Sequence, residues 1–128
     1  MANFAKLHVV DNARTELHDA LGLTGAEVSV NDLPAGAAVP FVHAHKQNEE
    51  IYGILAGRGE FWLDGEIIEL KAGDWVRVSP AAHRALRAAA DEGIRFICIQ
   101  VKEKSLEGFT MNDGFILEEK GGYRHICG

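Results

Sequence analysis

The chain has 128 residues, 47% of them hydrophobic and 25% charged, an ordinary globular composition that argues against intrinsic disorder. Thirteen Lys and Arg against nineteen Asp and Glu give a net charge of −6, which a nucleic-acid backbone would repel. No apolar run approaches the roughly 20 residues a membrane helix needs, and Met1 to Lys6 shows no charged segment followed by an apolar one. Two cysteines, Cys98 and Cys127, make no disulfide framework. A soluble, cytoplasmic, single-domain protein over residues 1–128 is the expectation.

A helix is predicted near Asn12 to Leu21, where Leu17 and Leu21 share a face and Gly22 marks the end. Short strand-like segments follow. Glu27 to Asn31 alternates in polarity, and Val39 to His45 continues in extended style. Ile51 to Leu55 is a compact apolar run, and Gly57-Arg58-Gly59 reads as a turn. Glu60 to Leu63 and Glu66 to Leu70 flank Asp64-Gly65, a strong hairpin signal. Trp75 to Val78 and the β-branched run Ile94 to Val101 complete the series, and the stretch from Lys102 onward is polar. Strands at this spacing, punctuated by 14 glycines against 3 prolines, describe an all-β sandwich or barrel.

Chemistry concentrates at His43-Ala44-His45. Residues i and i+2 of a strand point to one face, so both imidazoles project together, with Phe41 on what is then the inner side. Glu50 opens the next apolar run. Two imidazoles and a carboxylate on neighbouring strands match the facial geometry used for Fe(II), Mn(II), Ni(II) or Zn(II), with an open side for substrate or dioxygen. If the strand runs straight past His45, Gln47 shares that face and can orient water or substrate. A turn at Lys46-Gln47-Asn48 is the plainer reading. Tyr52 shares a face with Glu50 and is a pocket candidate, whereas Trp62 and Trp75 are expected in the core or a dimer interface.

The stretch His43-x-His45-x4-Glu50-x6-Gly57 resembles the first signature motif of the cupin superfamily, with Gly36 upstream one residue from its usual place. Gly73-Asp74, Ser79-Pro80 and His83 resemble a degraded second motif. The hairpin Trp62 to Glu66 and Asp91-Glu92 before the last strand are similar too, so the resemblance spans about residues 26 to 102. It implies a double-stranded β-helix (jelly-roll) barrel, often a homodimer, with a site in the barrel mouth. It also implies His43, His45 and Glu50 as ligands of a divalent metal, Glu49 missing the required gap to Gly57. A fourth ligand would be His83, yet Pro80 to His83 is shorter than the family spacing. Alignment backwards from Asp91-Glu92 puts Arg84 at that position instead. Alternation agrees, with Arg84, Leu86 and Ala88 on one face and His83, Ala85 and Arg87 on the other. An inward Arg84 would repel metal and favour a carboxylate or phosphate on a ligand.

The remaining signals are bland. His8, His18 and His125 are expected at the surface, Cys98 in core packing and Glu118-Glu119 at a solvated end. No serine lies in a Gly-x-Ser-x-Gly context, which excludes serine hydrolase chemistry. Two functional readings follow. One is a metal-dependent enzyme of dioxygenase, isomerase or decarboxylase type acting on a small polar molecule. The other is a non-catalytic cupin that binds or senses a small ligand.

Overall fold

Seven strands form in the computed structural model of the chain, which describes residues 2–109 and 112–117: the predicted runs Ile51 to Leu55 and Glu60 to Leu63 join into one strand, and Val39 to His45 forms none. These are β1 (Arg14–Glu16), β2 (Glu27–Leu33), β3 (Asn48–Leu63), β4 (Glu66–Lys71), β5 (Trp75–Val78), β6 (Arg84–Ala88) and β7 (Ile94–Lys102), with one short helix, α1 (His18–Leu21). The all-β architecture is therefore the one adopted. His125, Cys127 and Glu118-Glu119 lie outside the described residues.

The helix is shorter than predicted. Arg14–Glu16 pairs antiparallel with Ser29–Asn31 of β2, so the first part of the expected helix is an edge strand. Only His18–Leu21 is helical, closed by Gly22 in the left-handed conformation (φ 66°). Cross-strand hydrogen bonds outweigh a weak local helix preference here.

One strand organises everything else. The first part of β3 lies beside β7, with Glu50–Gly53 also pairing to β5; its last part, Arg58–Leu63, runs beside β4, and Gly59–Leu63 also pairs with β6. Gly57-Arg58-Gly59 is thus strand interior and not a turn. The register against β7 shifts between Ile54 and Ala56, a bulge. An extra residue moves the inward set by one position, from Glu50, Tyr52 and Ile54 to Phe61, and leaves Trp62 on the outside. Gly57 (φ 80°) makes this bend, and a Cβ there would lie 1.9 Å from the Gly93 carbonyl oxygen. Asp64 (φ 49°) and Gly65 (φ 90°) form the expected hairpin turn between β3 and β4.

Inward residues from both halves form one core. Tyr52, Ile54, Phe61, Leu70, Val78, Leu86, Ala88, Ile94, Phe96 and Cys98 are all buried and packed together. Trp62 and Trp75 are not in it: both are exposed, and the Trp75 ring occupies the space that a Cβ at Gly53 would fill. β2 differs from the other strands. It turns its polar set inward, Ser29 and Asn31 being buried at 2% and 5% exposure. Among the described residues no helix is long and apolar enough to cross a membrane.

Candidate metal centre

The two histidines come from an irregular segment, residues 37–45, which clips onto β6 and the loop before it. His43 exchanges backbone hydrogen bonds with Arg84 (3.1 and 3.0 Å), and the His45 N–H donates to the Pro80 carbonyl (2.8 Å). The segment is tethered, not a regular strand, because Pro40 lacks a donor. Both rings face Glu50, His43 Nε2 at 4.0 Å from Oε1 and His45 Nε2 at 3.3 Å from Oε2. The rings meet edge to face at 5.1 Å. Phe41, expected inside, is mostly exposed and touches the His43 ring at the cavity rim.

Glu50 is the buried centre of the group. Its Oε1 accepts from the Tyr52 hydroxyl (2.8 Å) and Arg84 Nη1 (2.6 Å), and its Oε2 from the Cys98 thiol (3.3 Å). Burial pushes the carboxyl up, but these donors more than offset it, so Glu50 sits below its ordinary value. Burial pushes His43 down, the Glu50 charge offsets part of this, and His45 and Arg84 add to the fall. Burial and the neighbouring carboxylate push the Cys98 thiol up to about 12 and the Tyr52 phenol well above its usual range. At neutral pH both remain protonated donors to an ionised Glu50.

Arg84 occupies the place that the sequence left open between itself and His83. It is fully buried, whereas His83 is exposed on the opposite face of β6, its N–H donating to Asp64 Oδ1 (2.8 Å). The cause is the period-2 alternation of β6, which turns Arg84, Leu86 and Ala88 inward together. His83 is consequently not part of the donor cluster, which is His43, His45 and Glu50. Arg84 donates to Glu50 and also to the carbonyls of Ser79 (2.7 Å), Pro80 (2.9 Å) and Ala82 (2.9 Å). Little of its guanidinium is left for a ligand. Gln47 is exposed in a bend, its carbonyl accepting from the Glu103 N–H, and it does not line the cavity.

The chemistry of the donor set fits a divalent ion. Both histidine–carboxylate separations fall within the about 4.2 Å that two ligand atoms can span on one ion with bonds of ~2.1 Å. His45 Nε2 and His43 Nδ1 are buried without a hydrogen-bond partner, an unfavourable state that metal coordination by His45 would relieve. The cluster opens into a cavity of about 550 Å3, within the usual range for small-molecule sites. Tyr52, Phe61, Phe96 and Leu86 line its apolar part, and Ser29, Asn31 and Gln100 its polar part. Sequence reasoning missed the last three, and placed Cys98 in packing alone. Alternation along β7 could have turned Cys98 and Gln100 inward together, but only the register of β7 against β3 brings Cys98 opposite Tyr52 and Gln100 opposite Glu50.

Comparison with known proteins now decides the family. The family model described as Cupin domain matches residues 29–100, more than half of the chain. The chain is a cupin. A crystal structure of a cupin protein from Bacteroides fragilis is 63% identical, with a TM-score of 0.89, over 91% of this chain and 98% of that one. The structure of a predicted oxalate decarboxylase from Thermotoga maritima is 26% identical, with a TM-score of 0.53, over 60% of this cupin and 64% of that chain. An uncharacterised protein from Methanocaldococcus jannaschii is 33% identical over 66 residues, 52% of each chain, so this cupin spans about half the length of that curated relative.

Proposed function

We propose that this cupin binds a divalent metal ion of the Fe, Mn, Ni or Zn class through His43, His45 and Glu50 and acts on a small polar molecule in the barrel. The observation that carries the reading is the convergence of three donors, with His45 Nε2 buried without a hydrogen bond. When bound, the metal supplies Lewis-acid polarisation of a substrate oxygen. The chain's own residues do the rest. Tyr52, Arg84 and Cys98 hold Glu50 ionised and fixed in orientation, while Phe61, Phe96 and Leu86 exclude water from one side of the substrate. Similarity to a predicted oxalate decarboxylase supports an enzymatic role, and the fold leaves lyase, isomerase and oxygenase chemistry open.

Elemental analysis of protein purified without an affinity tag tests this. Near-stoichiometric metal is expected in the wild type and in His83→Ala, and loss of it in His43→Ala. Wild-type protein that neither contains metal nor gains thermal stability from Fe(II), Mn(II), Ni(II) or Zn(II) would overturn it.

One observation favours a second reading, a metal-free cupin that binds or senses a small ligand. The Glu50 carboxylate is already neutralised by Arg84 at 2.6 Å, which lowers the attraction for a cation. On either reading the protein is a cytoplasmic homodimer, with Trp62 and Ile67, exposed side by side across β3 and β4, offering apolar surface to the second copy. Sedimentation velocity reads the mass directly, and a purely monomeric species sinks that part.

A further inference from the structure

The polar inner face of β2 has no role in holding Glu50 or the histidines. Its hydrogen bonds run in one direction. Arg14 Nη1 donates to Asn31 Oδ1 (2.8 Å), and Asn31 Nδ2 donates to Ser29 Oγ (3.0 Å). The relay ends at the Ser29 hydroxyl proton, which has no acceptor among the described residues although Ser29 is 2% exposed. On the adjacent strand, Asn48 Nδ2 donates to Gln100 Oε1 (2.9 Å), which leaves the Gln100 amide N–H groups likewise without an acceptor. Ser29 pairs with Cys98 and Glu27 with Gln100 in the β2–β7 register, so the two donors are diagonal neighbours on one face, within reach of a single small group. Both line the same cavity as His43, His45 and Glu50.

We propose that Ser29 and Gln100, with Arg14 behind them, form a subsite for the carboxylate of the substrate, whose other end reaches the metal cluster. The substrate class is thereby a small organic acid with an oxygen-bearing head and a carboxylate tail. This rests on the reading of His43, His45 and Glu50 as the metal centre. A carboxylate offers only acceptors, which is what a wall of free donors requires. A polyol would need acceptors for its own hydroxyl protons, and the neutral oxygens of the wall each already accept a hydrogen bond: Asn31 Oδ1 from Arg14, Ser29 Oγ from Asn31 and Gln100 Oε1 from Asn48, while Glu27 is held through Oε1 by the N–H groups of Leu17 and His18. The Ser29 hydroxyl proton is the buried one of the two, and a donor left without an acceptor there is costly in the empty barrel, a cost that a bound oxyanion removes.

Calorimetric titration of succinate, propionate and 1,4-butanediol into the Mn(II)-treated protein tests the assignment. Succinate is expected to bind more tightly than either probe. Ser29→Ala and Gln100→Met should each weaken succinate by roughly tenfold, the loss of one hydrogen bond to a charged group, and leave propionate unchanged. The variants lie on different strands, so either one that folds carries the test. Unaltered succinate binding in a folded variant, or 1,4-butanediol binding as well as succinate, overturns the proposal. Metal content is measured on each sample. A chain that holds no Mn(II) but loses succinate affinity in Ser29→Ala retains the subsite and fails only the metal reading.

Discussion

Glu50 and Arg84 form a buried ion pair in which each partner depends on the other. Replacing Arg84 with Leu strips Glu50 of its charge partner and leaves the carbonyls of Ser79, Pro80 and Ala82 without their donor. A loss of about 3–5 kcal/mol is expected in urea unfolding, as for breaking one side of a buried pair. Acid should act through the same cluster. His43 is held below its ordinary value of 6.5, so the unfolded chain takes up that proton first and stability falls as pH drops below 6.5. Glu50 is held below 4.5, so its contribution is present above that pH and is lost on further acidification. The urea midpoint of metal-free protein should therefore decrease from pH 7.5 to 5.5, with a flatter slope in His43→Asn; an identical slope in that variant removes His43 from the account. The convergence of His43, His45 and Glu50 was legible because its spacing is local: an i, i+2 pair and a carboxylate soon after it. Ser29, Cys98 and Gln100 were not, because their meeting depends on register between strands far apart in sequence.

At the scale of elements, glycine was the residue most easily misread. Asp64-Gly65 and Gly57-Arg58-Gly59 look alike as punctuation, yet the first turns a hairpin and the second bends an unbroken strand. What separates them is the Gly93 backbone packed against Gly57, which the sequence does not display. Gly57→Ala combines a left-handed backbone with a backbone clash and should cost on the order of 3 kcal/mol. Gly65→Ala meets open space and should cost about 1 kcal/mol, from conformation alone. Equal urea midpoints for the two variants would contradict the role given to the Gly93 contact. The helix near the amino terminus was overextended for a related reason: β1 exists only through its partner β2. Alternation in β6, in contrast, puts Arg84 and His83 on opposite faces from sequence alone, since period 2 needs no partner to be read, but only the packing of Arg84, Leu86 and Ala88 fixes which face is inward.

Over the whole molecule, β3 must find β4, β5, β6 and β7, so most pairing is non-local and folding in the millisecond-to-second range is expected. Metal at a hundredfold excess over its Kd should add about 2.7 kcal/mol to stability, provided it binds only the native chain. The kinetics of that gain follow from where the donors originate. His43 and His45 hang on the β6 edge, Glu50 on β3, and the thiol that steadies it on β7. No early hairpin contains the set, and the pocket closes only when the last strands dock. Stopped-flow tryptophan fluorescence should then show metal slowing unfolding while leaving the refolding rate nearly unchanged. Faster refolding would mean that the donors gather early. On the proposed metal reading, an ion would be a latch on a finished barrel and not the seed from which it grows.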